Sequence, residues 1–145
     1  MFLFLKLPSA FFSGIRVRTA TETSCALTVP FKWFTKNPFK STYFACLAMA
    51  AEASTGLLAM LYSYKNDPAV SMLVVNMEAA YFKKATGITV FTCDDGIAIK
   101  QAIEQAIATK EAVTLKTKSV GKSEKEETIA EFFITWSFKV RSAVK

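Results

Sequence analysis

Apolar and polar residues alternate in several short stretches, with the two-residue period of a β-strand that buries one face. The alternation runs through 15–29 with a polar break at 21–24, which predicts two short strands joined by a turn. It returns at 113–117 and most regularly at 130–140, on either side of a polar GKSEKEE turn. These last two stretches predict a β-hairpin.

Two other stretches are predicted to be strands from their content of apolar and β-branched residues. Residues 70–82 are apolar at both alternating sets of positions, which is typical of a strand at the centre of a sheet. Residues 88–93 follow across a turn at Gly87 and form the next strand.

The longest apolar stretch, 43–64, contains a single charge, Glu52. It predicts a helix from about 42 to 65, with Ser41 as its N-cap and residues 65–68, KNDP, as its stop signal. The length would suffice to cross a membrane, but a carboxylate at the centre of a bilayer costs about 2.5–3.5 kcal/mol. We therefore expect a buried core helix and no membrane span.

Small side chains surround Glu52 when the long helix is drawn at 100° per residue. The members of this face are Ala45, Ala48, Thr55, Gly56, Ala59 and Ser63, whereas Leu47, Leu57 and Leu61 are expected to point away from it. A face of small residues around one acid indicates that a sheet, a partner chain or a ligand approaches the helix closely.

A second, shorter helix is predicted at about 95–109, where isoleucines and alanines form one apolar stripe that should lie against an edge or end of the sheet. The predicted order is then strands, long helix, two strands, short helix and two strands, without an interdomain linker. This order favours a single domain over 1–145 of the α+β class, a mostly antiparallel sheet wrapped around one long central helix.

The composition limits the kinds of ligand, catalytic mechanism and metal site that the chain can have. The net charge is +6, but the 18 Lys and Arg residues form no run of five or six and are not expected to alternate with exposed aromatics. This favours a small anionic ligand or a general role in solubility over a nucleic-acid surface. The chain has no histidine, which excludes Ser-His-Asp and Cys-His catalysis. Its three cysteines lie outside any CxxC pair, so we expect no zinc site, no disulfide framework, and buried thiols in the reducing cytoplasm.

Three segments together resemble hotdog-fold thioesterases: NPFKSTYFACLAMAAEASTG, in which a loop Asn precedes an Ala-rich helix with an internal acid, then VVNMEAAYFKKATG and ITWSFKV. The similarity spans about Leu7 to Arg141 and is strongest to the group labelled DUF4442, with likeness to acyl-CoA thioesterases of phenylacetate metabolism. It implies a hotdog domain that forms a homodimer or tetramer by pairing sheet edges, with the active site at the dimer interface.

The resemblance also implies roles for particular residues. Glu52 corresponds to the helix carboxylate that acts as general base or nucleophile, and Asn37 to the loop residue that faces the acyl group. Thr55, one turn after the acid, would orient Glu52 or the attacking water. Each role has a structural alternative: a buried acid paired with another group for Glu52, a turn or cap residue for Asn37, and a helix hydroxyl bonded back to a carbonyl for Thr55.

The remaining implied contacts are to the thioester and its carrier. Backbone N–H groups of Tyr43, Phe44 and Ala45 at the helix start would polarise the thioester carbonyl. Lys83 and Lys84 would meet the phosphates of coenzyme A, which enters as part of the substrate, so no separate cofactor or metal is expected.

One departure from the family pattern keeps two functions open. Many of these thioesterases begin the helix with a His-Gly-Gly type sequence, whereas residues 41–45 here read STYFA, with bulkier side chains. The first hypothesis is an acyl-CoA thioesterase, and the alternative is a non-catalytic protein that binds an acyl group or acyl-CoA. A hotdog dehydratase, which usually needs a His-Asp or His-Glu pair, is disfavoured by the lack of histidine.

Overall fold

The computed structural model describes residues 1–64 and 67–142, which form one antiparallel sheet with helices packed on it. In chain order the elements are α1 (Phe2–Lys6), α2 (Pro8–Phe12), β1 (Arg16–Ala20), β2 (Cys25–Val29), α3 (Phe44–Ser63), β3 (Val70–Tyr81), β4 (Thr89–Cys93), α4 (Gly96–Thr109), β5 (Val113–Ser123) and β6 (Thr128–Val140). The six described strands are arranged in the order β1-β2-β4-β5-β6-β3. The predicted α+β class is confirmed.

Helix α3 is the predicted central helix, and it packs mainly against β2, β4 and β5. Ala50, Ala51 and Ala59 are completely buried, so small side chains bring the helix backbone close to the sheet. By length and composition α3 could cross a membrane, but within the described chain it is the helix that fills the core.

The predicted N-cap of α3 is wrong. The N-cap is Tyr43, which makes no side-chain capping bond, and Ser41 is instead hydrogen-bonded to Asn37 in the preceding loop. At the other end α3 stops at Ser63. Residues 65 and 66 of the predicted stop signal lie outside the described residues.

The predicted hairpins are present, with one shifted boundary. Strands β1 and β2 pair across the predicted turn at 21–24, and β5 pairs with β6. Residues 121–123 belong to β5, so the second turn is limited to 124–127. Gly121 lies opposite Phe91 of β4, whose ring covers the space where a side chain would stand.

Strand β3 is an edge strand, which corrects the prediction of a central strand at 70–82. It pairs with β6 on one side and with no described strand on the other. Its apolar side chains are consequently exposed, including Leu73 (65%), Val75 (50%) and Met77 (41%). A strand of this length with unpaired backbone groups and apolar side chains is a surface on which another strand can pair.

Two short helices at the N-terminus were not predicted. Each has five residues, too few for a helical period to be recognised in the sequence. Phe4 packs edge-on against Phe11 and Phe12 with ring centroids 5.1 and 6.1 Å apart, which holds α1 against α2. The predicted second helix, α4, is present, and it packs against α3, β5 and β6.

The cysteines are buried free thiols, as predicted. Cys25 and Cys93 are distant in sequence yet lie opposite each other on β2 and β4. Burial raises the pKa of Cys25 to about 11 and that of Cys93 to about 12. Both thiols are therefore protonated and poorly nucleophilic at neutral pH.

We predict that Gly121→Ala destabilises the protein. An added Cβ would lie 2.5 Å from the buried ring of Phe91, which itself packs edge-on against Phe132, so the ring cannot move freely. Overpacking of this kind costs about 1–3 kcal/mol in the free energy of unfolding, which urea titration measures. Gly87→Ala is the matched control, because a Cβ there has no neighbour within 4 Å. Equal effects of the two substitutions would contradict the prediction.

Candidate functional site

Glu52 lies near the middle of α3, with its carboxyl group on the wall of a cavity. No ion pair or hydrogen bond joins this carboxyl group to any residue in 1–64 or 67–142. Burial raises its pKa above the ordinary value near 4.5. An acid that is desolvated yet faces an open space is more basic than an ordinary glutamate and can still reach a ligand.

Thr55 holds the backbone of this helical turn and makes no hydrogen bond to the carboxyl group of Glu52. Its hydroxyl donates to the main-chain oxygen of Glu52 at 2.9 Å and accepts a 2.9 Å hydrogen bond from the indole Nε1 of Trp136 on β6. The side chain is completely buried. The structure thus shows the bond back to a carbonyl that was the structural alternative for Thr55, with an added link to the sheet.

A second buried hydrogen bond lies beside the first. The hydroxyl groups of Ser54 on α3 and Ser119 on β5 are 2.7 Å apart, and both residues are completely buried. Together with the Thr55 to Trp136 bond, it fixes the rotation of α3 about its axis. That rotation directs Glu52 towards the cavity.

The cavity beside Glu52 has a volume of about 330 Å³ and lies between α1, α3 and the paired strands β3 and β6. Its walls are formed by Phe2, Lys6, Leu7, Glu52, Ala53, Gly56, Leu57, Met60, Tyr64, Met72 and Trp136. Leu57, which was expected to point away from Glu52, lies at a border: it lines this cavity and also a second one, on the side of Leu61, that Glu52 does not reach. Gly56 leaves room here, since a Cβ would lie 3.2 Å from Oε1 of Glu52 and 3.3 Å from the Trp136 ring.

Asn37 ties its own loop together. Its Oδ1 accepts hydrogen bonds from the main-chain N–H groups of Phe39 (2.9 Å) and Ser41 (3.2 Å), and its Nδ2 lies 3.1 Å from the Ser41 hydroxyl oxygen. It does not line the cavity beside Glu52. Asn37 thus has the turn geometry of the structural alternative, and it shapes the loop leading to α3.

The start of α3 offers fewer donors than the sequence suggested. The N–H group of Tyr43 already donates to the main-chain oxygen of Thr35 at 2.7 Å. The N–H groups of Phe44 and Ala45 have no partner among the described residues, as is usual in a first helical turn. They precede Glu52 by seven or eight residues, so at 1.5 Å per residue they lie roughly 10–12 Å from it along the axis.

The two lysines proposed for phosphate binding lie away from this cavity. Lys83 forms an ion pair with Glu127 at 2.9 Å, with both side chains about half exposed. The ammonium group of Lys84 donates to the main-chain oxygen of Phe39 at 3.3 Å, which places it against the loop that contains Asn37.

That loop also corrects the interpretation of the charge pattern. Trp33, Phe34 and Phe39 are exposed and alternate with the exposed residues Lys32, Lys36 and Lys40. Sequence alone could not distinguish these aromatic residues from buried ones. The chain therefore carries a basic surface with aromatic residues, continuous with Lys84.

A larger groove of about 910 Å³ crosses strands β1, β2, β4 and β5 near the turn at 124–127. It is open and contains charges of both signs, among them Arg18, Lys122, Glu124 and Glu126. Because Glu52, whose pKa is raised by burial, lines the smaller cavity and not this groove, the smaller cavity is the better candidate for chemistry.

No family model and no curated protein match the sequence. Solved structures do match. A Pseudomonas aeruginosa protein of unknown function, suggested to be a thioesterase, superposes with a TM-score of 0.82 at 20% identity, over 97% of this chain and 93% of its own. A Haemophilus influenzae thioesterase superposes with a TM-score of 0.69 at 12% identity, over 94% and 86% of the two chains.

A thioesterase from Staphylococcus aureus is similar to the same degree, with a TM-score of 0.69 at 15% identity over 91% of this chain and 98% of its own. Its structure has been solved with a glutamine replaced by alanine and, separately, with a glutamate replaced by alanine. Those two positions are as far apart in its sequence as Asn37 and Glu52 are here. The chain has the hotdog fold, and the narrower assignment to DUF4442 stays a prediction.

We predict that Glu52→Gln stabilises the protein at neutral pH. Since the pKa of Glu52 is higher in the folded state, the folded protein binds this proton more tightly than the unfolded chain, and stability is lost as pH rises through the raised pKa. The variant should melt at a higher temperature than wild type at pH 7, and the difference should vanish below about pH 4.5.

Glu104→Gln, on the exposed face of α4, is the control for removing one negative charge. If Glu52→Gln instead lowers the melting temperature at pH 7 relative to this control, Glu52 is held by a favourable partner and the desolvation argument fails.

Proposed function

We propose that the protein is an acyl-thioester hydrolase, with acyl-CoA as substrate and Glu52 as general base or nucleophile. As a base, the Glu52 carboxylate takes a proton from water while the water oxygen bonds to the thioester carbonyl carbon. The C–S bond then breaks and the departing thiolate takes the proton back from Glu52. The products are a carboxylic acid and a thiol, and neither a metal nor histidine is required.

The observation that carries this proposal is the state of Glu52. A desolvated carboxyl group without a partner among the described residues, on the wall of a largely apolar cavity, costs stability, and such groups are concentrated at functional sites. As a nucleophile the same carboxylate would attack the carbonyl carbon and the C–S bond would break to release the thiolate. Water would then hydrolyse the resulting anhydride to the carboxylic acid and free Glu52, and the proton released would go to the thiolate. Both routes need Glu52 ionised.

The distances within one chain favour an active site shared between two copies. A carbonyl oxygen hydrogen-bonded to Phe44 or Ala45 lies roughly 10–12 Å along α3 from the acid of the same chain, too far for one reacting thioester. We propose that a homodimer forms through the exposed edge of β3. The helix start of one copy would then polarise the carbonyl that faces Glu52 of the other.

Asn37 and the lysines fit this arrangement as supporting groups. The glutamine and glutamate substituted in the Staphylococcus aureus thioesterase have the same spacing as Asn37 and Glu52, and we take Asn37 as the polar residue that accompanies Glu52. Lys84 forms no ion pair with a described carboxylate and lies against the aromatic and basic loop, so it is the better placed of the two lysines for a coenzyme A phosphate. Lys83 would first have to leave Glu127.

The buried thiols fit the cellular setting of this reaction. Cys25, Cys46 and Cys93 are free and buried, a state that the reducing cytoplasm maintains. We place the hydrolase there.

The second candidate function is acyl or acyl-CoA binding without turnover. The observation that favours it is the crowded helix start, where the N–H group of Tyr43 is already bonded and the exposed rings of Tyr43 and Phe44 pack edge-on at 5.0 Å. A carbonyl would have to pass these rings to reach the donors. The two candidates share the cavity and differ only in whether the thioester bond is broken.

We predict that the wild type releases free thiol from acyl-CoA esters and that Glu52→Gln lowers the rate by about 10²–10⁴-fold, the usual contribution of a general base. Because the pKa of Glu52 is raised, kcat/KM should increase with pH along a limb centred above 4.5. Glu104→Gln should keep the wild-type rate and pH profile. Binding without thiol release, or turnover indifferent to Glu52→Gln, would select the binding function.

We also predict that Leu73→Lys combined with Val75→Lys separates the dimer and abolishes turnover. The lysines would place like charges along both edges of a β3 to β3 contact, while leaving the inner face of the sheet unchanged. Light scattering coupled to gel filtration would report the mass, and circular dichroism would report the fold. Ile97→Lys, on exposed α4, is the control. A monomeric but active wild type would refute the shared site.

A further inference from the structure

The residues that line the cavity beside Glu52 indicate which type of acyl group the thioester carries. Apart from Glu52, Lys6 and Tyr64, every side chain that lines it is apolar, and two of these, Met60 and Met72, are flexible thioethers. Among the described residues, the rest of the lining offers mainly apolar contact. Such a lining suits an unbranched aliphatic chain, whose conformation can adjust to an irregular space.

Volume limits the length of that chain. At about 330 Å³ the cavity is near the lower end of the ~300–1,000 Å³ range of small-molecule sites. A methylene is similar in size to a water molecule, whose share of the liquid is ~30 Å³, so the cavity holds a chain of about ten carbons. Short acyl groups would leave it partly empty. The end of a longer chain would lie outside it, in the open space of about 500 Å³ that also borders Met60, Met72 and Trp136 and is lined by Arg141.

The N-terminal helix α1 supplies one wall of the cavity. Phe2, Lys6 and Leu7 line it opposite Glu52, while Leu5 on the same helix points to solvent and is 64% exposed. The helix is kept in place by buried Leu3 and by the packing of Phe4 against Phe11. Without α1, this side of Glu52 would open to solvent and the chain length would not be limited there.

We propose that this cavity seats a saturated acyl chain of about ten carbons, and that α1 forms the wall that sets its length. This inference rests on the proposed function, which identifies the ligand as an acyl thioester. Lys6 lines this wall and is exposed, so its ammonium group is available to the polar carrier.

The test uses S-alkyl thioethers of coenzyme A, which cannot be hydrolysed, titrated calorimetrically into the full-length protein. Affinity should rise by about fourfold per methylene, the value of one buried methylene, from butyl to decyl. It should stop rising or fall at hexadecyl. Equal affinities for all chain lengths, or an affinity that keeps rising to hexadecyl, would overturn the proposal.

Two substitutions test whether the acyl chain binds in the cavity beside Glu52. Met60→Trp fills part of the cavity and should weaken decyl binding by roughly tenfold or more while leaving butyl binding unchanged. Phe2→Ala should shift the optimum to a longer chain, whereas Leu5→Ala, on the outer side of α1, should not. Thermal unfolding of each variant confirms that it is folded. Equal losses for butyl and decyl in Met60→Trp, or equal effects of Phe2→Ala and Leu5→Ala, would place the chain elsewhere.

The two proposals fail separately. Selective binding of the decyl thioether with no release of thiol from decanoyl-CoA would reject the proposed hydrolysis and support binding of the acyl chain in the cavity. The opposite outcome is hydrolysis that depends on Glu52 but shows no preference for decanoyl over butanoyl or hexadecanoyl esters and no effect of Met60→Trp. It would support the hydrolase and reject binding of the acyl chain in this cavity.

Discussion

The close approach of α3 to the sheet determines the rest of the molecule. Alanine and glycine along one side of the helix permit the approach, and two buried hydrogen bonds, Ser54 to Ser119 and Thr55 to Trp136, fix its angle of rotation. Because hydroxyl groups buried without partners would be costly, other rotations are penalised more strongly than apolar packing alone would penalise them. Glu52 is therefore held in one direction by its neighbours.

This arrangement explains how an acid without a described partner is tolerated. Thr55 engages the main chain of Glu52 and leaves its carboxyl group untouched, so the bonds that fix the helix do not neutralise the acid. Gly56 removes the side chain that would otherwise fill the space between Glu52 and Trp136. The stability of the core thus maintains a carboxyl group with a raised pKa, and the stability lost at neutral pH is offset elsewhere in the fold.

Sequence periodicity predicted the elements that bury a regular stripe, namely the long helix, α4 and the strands that alternate, and it singled out Glu52. It missed features that the spacing of apolar residues does not determine. Helices α1 and α2 are too short to show a period, and the exposure of Trp33 and Phe39 depends on how their loop folds. Leu57 borders the Glu52 cavity as well as the side predicted for it, because a wheel centred on Glu52 does not show how wide the cavity is. The pairing of Trp136 with Thr55 joins residues that are far apart in sequence.

The error at β3 has a different cause. Its residues are apolar at both alternating sets of positions, as in a strand covered on both sides, yet the single chain leaves Leu73, Val75 and Met77 exposed. A sequence records the environment of the functional assembly, and in the proposed dimer β3 would lie at the centre of a sheet that continues into the second copy. The prediction of a central strand would then be wrong for one chain and right for two, which agrees with the separation of Glu52 from the donors at the start of its own helix.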